Sequence, residues 1–118
     1  MTTLAIAARD GIVLCGRCTV ADTAPRRVRG LLGRARLPAG EGLLLRPAPA
    51  VHTWFMRFAI DVVFLDRDLV VLKVRHEMRP WRMARCKRAH AVLELPAGQA
   101  GLLEIAPGDR LEARHHSP

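Results

Sequence analysis

The stretch VHTWFMRFAID, residues 51–61, sets His52, Thr53, Arg57 and Asp61 among apolar side chains where a plain core strand would carry none. Each of these types can do chemistry. A histidine titrates near neutral pH, a carboxylate can orient it, and an arginine fork grips carboxylates and phosphates. Trp54, Phe55 and Met56 add apolar walls. Apolar walls with a few converging polar groups describe a ligand groove, so His52, Thr53, Met56, Arg57 and Asp61 form the candidate ligand-binding set. On one straight strand, His52, Trp54, Met56, Phe58 and Ile60 share a face, with Thr53, Phe55, Arg57 and Asp61 on the other. Arg57 and Asp61 would then stand about 13 Å apart, and a bend at Phe58-Ala59 would be needed to join them.

A structural role competes for Asp61, because a buried carboxylate is costly unless an arginine or backbone N–H groups meet it. His52 and Asp61 also suit the roles of base and orienter. No serine or cysteine stands in a recognisable nucleophile motif, however, so no catalytic residue is assigned.

Other constellations are weaker. Cys15-Gly16-Arg17-Cys18 has knuckle or redox spacing, yet it lies in a strand-like run rather than at a helix start, and Cys86 alone leaves a zinc set short. No metal or cofactor is expected, and the tail pair His115-His116 reads as solvated. The run RPWRMARCKR, residues 79–88, interleaves Trp81 and Met83 with basic residues. It makes Arg82, Arg85, Lys87 and Arg88 anion-binding candidates, aided by Arg26, Arg27 and Arg29, for nucleic acid or an anionic membrane surface. No helix-turn-helix or zinc-finger signature accompanies it, which favours a solvated basic loop whose tryptophan covers the end of the core. Glu94 shares a strand face with Val92, opposite Leu93 and Leu95, and wants a cation from Arg34, Arg46 or Arg57. A structural salt bridge is the expectation, so Arg34, Glu94 and Asp109 are read as structural or site-supporting.

The elements that must position these groups fit one domain of 118 residues, half of them apolar and a quarter charged. The net charge is +8, with arginine at seventeen of nineteen basic positions, a bias that a GC-rich genome can supply. The start of the chain lacks a signal-peptide pattern, and no apolar run reaches the roughly 20 residues that span a bilayer. A cytoplasmic, monomeric protein with reduced thiols is expected.

Two apolar runs about Asp10-Gly11 predict strands near 4–9 and 12–20. Thr23 and Pro25 start a short helix that carries Val28, Leu31 and Leu32 and ends by Gly33. A strand follows at LLLRP, then a hairpin about Asp66-Arg67-Asp68 whose first arm includes 51–65, then a strand at AHAVLEL. A helical turn near 99–104, a Pro107-Gly108-Asp109 turn and a last strand complete the chain. The predicted fold is mainly β: a single-domain antiparallel sandwich or partly closed barrel with one short helix in the N-terminal half and a helical turn near the C-terminus.

In this order, the motifs RGLLGR, EGLLL, HTWFMRFAIDVVFLD, AVLELPAG and PGDRL resemble the bacterial family of domain of unknown function 192 over about residues 19–112. The resemblance implies a compact, mainly antiparallel β fold and no established reaction. It places Gly30, Arg34, Gly42, Met56, Asp61, Glu94, Gly98, Gly108 and Asp109 on recurrent positions of the family, many of whose members look exported. Phe55-Met56-Arg57-Phe58 departs from the family's common Trp-Met-Lys-Asn version. Three functions stay open. The leading one is non-enzymatic binding of a small molecule or protein partner around residues 52–61; the others are a hydrolase using His52 and Asp61, and an anion or nucleic-acid binder using 79–88.

Overall fold

The computed structural model describes residues 2–8 and 10–115, without the side chains of Val28, Arg29 and His115. The Arg29 side chain and the His115-His116 pair therefore lie outside the described residues.

Strands β1 (Thr3–Ala8) and β2 (Val13–Ala21) pair antiparallel about Gly11, whose φ of 94° suits the residue without a Cβ. Helix α1 (Ala24–Arg29) begins as its residues dictate: the Thr23 hydroxyl accepts the Arg26 N–H and Pro25 occupies the first turn. It ends at Gly30, earlier than the apolar spacing predicts, so Leu31 is buried by the loop that follows rather than by the helix.

Next come β3 (Glu41–Leu45), β4 (Ala50–His52), β5 (Ile60–Leu65), β6 (Val71–Met78), β7 (Met83–Arg85) and β8 (Ala91–Pro96). A single turn, α2 (Gln99–Leu102), and β9 (Leu111–His115) end the described chain. The β5–β6 hairpin closes as expected, with Asp66 Oδ1 accepting the N–H groups of Asp68 and Val70 at 2.8 and 2.9 Å.

Seven strands form one sheet in the order β6-β5-β8-β3-β2-β1-β9, antiparallel except for the parallel β2–β3 pair. The sheet curls until its two ends touch. Val70 bridges Arg110, and the Val71 N–H donates to the Asp109 carbonyl at 2.8 Å. The Asp109 carboxylate holds this corner by accepting the Ala106 N–H at 2.9 Å. The result is a half-barrel, the partly closed form of the predicted fold.

Each face of the sheet carries its own core. Inside the curl, Ile6, Leu14, Cys15, Cys18, Leu44, Val63, Leu93 and Leu95 pack together, closed off by Ala100 and Ile105. On the outer face, Leu43, Leu45, Ile60, Val62, Phe64 and Val92 pack against Leu31, Val51, Met56 and Met78. Covering both faces explains why β5 is buried at all six positions rather than at alternate ones.

Cys15 and Cys18 both face the inner core although three residues apart, because β2 spends three residues where β1 spends two, from Leu4 to Ile6. Parallel β3 comes so close here that a Cβ on Gly42 would lie 2.8 Å from the Cys15 sulfur. The hydrogen bond shared with the Cys15 thiol and, after it, burial push the Cys18 thiol up, so it stays protonated and apolar in behaviour.

Two predicted elements differ. Residues 51–65 are not one strand, since β4 ends at His52 and β5 begins at Ile60. The basic loop 79–88 is not wholly irregular either, because β7 within it pairs with β4 as a separate two-stranded ribbon. No helix among the described residues is long and apolar enough to cross a membrane.

Candidate functional site

Thr53 breaks the stretch that looked like a strand. Its hydroxyl donates to the Arg79 carbonyl at 2.6 Å and accepts the Arg82 N–H at 2.9 Å, and its own carbonyl receives the N–H groups of Met56 and Trp81. A side chain spent on the backbone of residues 79–82 cannot also meet a ligand, and Thr53 is fully buried. Thr53 therefore fastens two loops together, a correction to its place in the groove.

Those loops put Phe55 and Trp81 at the surface, 70% and 57% exposed, with ring centroids 4.7 Å apart and both residues at positive φ. Trp81 caps no core; it stands out beside Arg82, whose Nη1 donates to the Trp81 carbonyl at 3.4 Å. Arg57, Arg85, Lys87 and Arg88 are likewise exposed. Arg57 projects from the surface rather than into a polar floor.

Asp61 lies on the opposite, inner face of the sheet, fully buried. Its Oδ1 accepts the Glu77 N–H and its Oδ2 the Ala100 N–H, each at 2.7 Å. The first bond supports Glu77 at a positive φ of 48°, and the second fixes α2 against the sheet. His52 ends β4 at the surface, stacked on Trp54 at 4.7 Å. The sheet thus separates His52 from Asp61, and neither the base–orienter pair nor an Arg57–Asp61 pair forms.

A cavity of about 330 Å³ opens on the outer face. Its walls come from α1 and the turn after it (Arg27, Leu31), the segment leading into β4 (Ala48), β4 itself (Val51), and Met56. Leu45 of β3 and Glu94 of β8 line it from the sheet. Of the five predicted ligand residues it gathers His52 and Met56 and leaves out Thr53, Arg57 and Asp61.

Glu94 is the chemically distinctive member. It is 3% exposed and sits opposite Leu43 on one side and Val62 on the other, both apolar. The expected salt bridge does not form among the described residues. Arg34 pairs with Glu41 at 3.1 Å, on the exposed approach to β3. Arg27 Nη1 donates to the carbonyls of Asp22 and Arg46 at 3.2 and 3.5 Å. Among the described residues no side chain or backbone group bonds the Glu94 carboxyl, and burial alone pushes it up to about 8 from an ordinary 4.5. At neutral pH it is a neutral acid, carrying one donor and spare acceptor capacity.

Parity along β8 placed Glu94 on the correct face. The missing signal was the emptiness beside it, which arises from segments 27–32 and 47–51 meeting over the sheet. No cluster of histidine, cysteine and carboxylate side chains suited to a metal ion occurs among the described residues.

A curled, mainly β half-barrel with a cavity on its outer face is the class that fold and site define. The chain belongs to the DUF192 family, described as "Uncharacterized ACR", whose model matches residues 5–113. It is 35% identical over 109 residues to a UPF0127 protein of Thermococcus sibiricus, covering 86% of this chain and 69% of that relative. A UPF0127 protein of Pyrococcus abyssi is 32% identical over 103 residues, covering 82% and 86%. These archaeal relatives correct the expectation of a bacterial family.

Two solved structures share the fold. One is a protein of unknown function from Novosphingobium aromaticivorans, with a TM-score of 0.80 and 24% identity over 93% of this chain and 83% of that one. The other is called a putative transcription regulator from Sinorhizobium meliloti, with a TM-score of 0.82 and 22% identity over 94% and 92%. The family has no assigned function, and no enzymatic activity attaches to it through these relatives.

Proposed function

We propose that this domain binds a small ligand in the outer cavity between α1 and β4, with His52 and Met56 at the wall and Glu94 as its polar anchor. The observation that carries this reading is the Glu94 side chain, 3% exposed, whose carboxyl group meets no partner among the described residues and opens only onto a mostly apolar cavity. Folding raises the cost of charging that group and supplies no hydrogen bond from the described chain, an arrangement expected where the partner arrives from outside. The volume lies at the small end of ligand pockets, which suits a molecule of fragment size rather than a peptide. Non-enzymatic binding is preferred to hydrolysis because, among the described residues, no hydrogen bond joins His52 to a carboxylate or a nucleophile.

A fragment screen followed by backbone amide NMR tests the proposal. Binders should shift the amides of residues 30–32, 45–52 and 92–95 together and raise the melting temperature. A screen in which no fragment moves these amides, while other surface sites respond, would rule the cavity out.

A further inference from the structure

The ligand-binding reading of the outer cavity leaves the ligand's chemistry open, and the walls narrow it. A neutral carboxylic acid presents an O–H donor and a C=O acceptor side by side. A partner that satisfies both at once carries the complementary edge, an N–H beside a C=O, as a primary carboxamide or lactam does. We infer that the cavity, mostly apolar and faced by the Glu94 carboxyl, takes a small apolar molecule bearing such a carboxamide edge, gripped by that carboxyl through two parallel hydrogen bonds. The inference rests on the ligand-binding reading and specifies its chemistry.

Three observations select this class over charged alternatives. The walls nearest Glu94 are apolar, with Leu31, Leu45, Ala48, Val51 and Met56 around the cavity, so an ionic ligand would lose its hydration there with little return. A cation would enter past Arg27 into a chain of net charge +8. A carboxylate anion offers acceptors only; it can accept the one Glu94 O–H, but its second oxygen is then set against the Glu94 carbonyl oxygen. The titratable groups lining the cavity are Arg27 from α1, His52 from β4 and Glu94 from β8. Burial holds Glu94 protonated up to about pH 8, so the neutral grip is available at physiological pH.

Three probes of equal size, benzamide, benzylamine and benzoate, separate the possibilities when titrated by amide NMR at pH 6.5 and 9. Benzamide should shift the cavity amides, and its affinity should fall about tenfold at pH 9, where roughly nine in ten Glu94 side chains have lost the proton. Glu94→Gln keeps a donor and an acceptor without a titration, so it should bind benzamide equally at both pH values. Glu94→Leu should lose benzamide at both. Tighter binding of benzylamine that grows with pH and vanishes in Glu94→Gln would overturn the carboxamide assignment and leave the cavity reading intact. So would benzoate outcompeting benzamide, or benzamide binding that Glu94→Leu does not change. Absence of any response at the cavity amides to all three would overturn the assignment, and a wider screen failing there too would end the parent reading.

Discussion

Asp61 and Glu94 occupy adjacent strands, both almost wholly inaccessible, and they differ in every other respect. Asp61 looks into the curl, where two backbone N–H groups from β6 and α2 meet its two oxygens at 2.7 Å. Glu94 looks outward into a cavity where nothing in the described chain meets it. The first carboxylate is a fastening, holding a strained backbone turn and a helical turn to the sheet. The second is a polar group held ready by the fold and left unused by it. Burial alone therefore does not distinguish a structural acid from a site; the list of partners does.

The same acid-to-amide exchange at the two positions should act in opposite directions. In the wild type, Glu94 holds its proton up to about pH 8, whereas the unfolded chain releases it near 4.5. Between those values the folded state binds more protons, so raising the pH destabilises it, and the loss is complete above the folded value. At about 1.4 kcal/mol per pH unit the full loss is on the order of 5 kcal/mol. Glu94→Gln should remove that slope: urea denaturation should show little difference from wild type near pH 4.5 and a clear stabilisation at pH 9. Equal slopes in the two proteins would mean that Glu94 finds a partner in solution.

Asp61→Asn should do the reverse. The amide keeps one acceptor oxygen and turns its NH₂ group toward a second N–H, so about 2–3 kcal/mol of stability should be lost at neutral pH, read from the same denaturation curves. Faster hydrogen exchange at the Ala100 amide would locate the loss, and an unchanged midpoint would show that the two bonds carry little.

The smallest effect is expected at Arg34, whose pair with Glu41 is about two-fifths exposed on the arginine side. Arg34→Gln should cost less than ~1 kcal/mol and leave the Glu94-dependent pH slope untouched. A steeper slope in that variant would show that Arg34 reaches the buried acid after all, which would blur the contrast between the two carboxyls.

Local chemistry in the chain determined a good deal. Thr23 and Pro25 fixed where α1 starts, Asp66 and Gly11 fixed two turns, and the period-two pattern of residues 91–96 put Glu94 on the face opposite Leu93 and Leu95. These outcomes depend on neighbours a few residues away, so the chain states them directly. The family motifs extended this to the whole fold, Asp61 included.

What the tertiary structure alone decided were the partners. The N–H groups that satisfy Asp61 come from 16 and 39 residues further along, and the hydroxyl of Thr53 is claimed by a loop 26–29 residues away. Those long-range bonds made fastenings of two of the five predicted groove residues, and Arg57 stands at the surface, while the meeting of residues 27–32 with 47–51 over Glu94 opened a cavity that no local pattern announces. A hydrogen bond is a fact about two places in the chain at once. A residue's type shows that it needs a partner, and only the folded chain decides whether one is supplied.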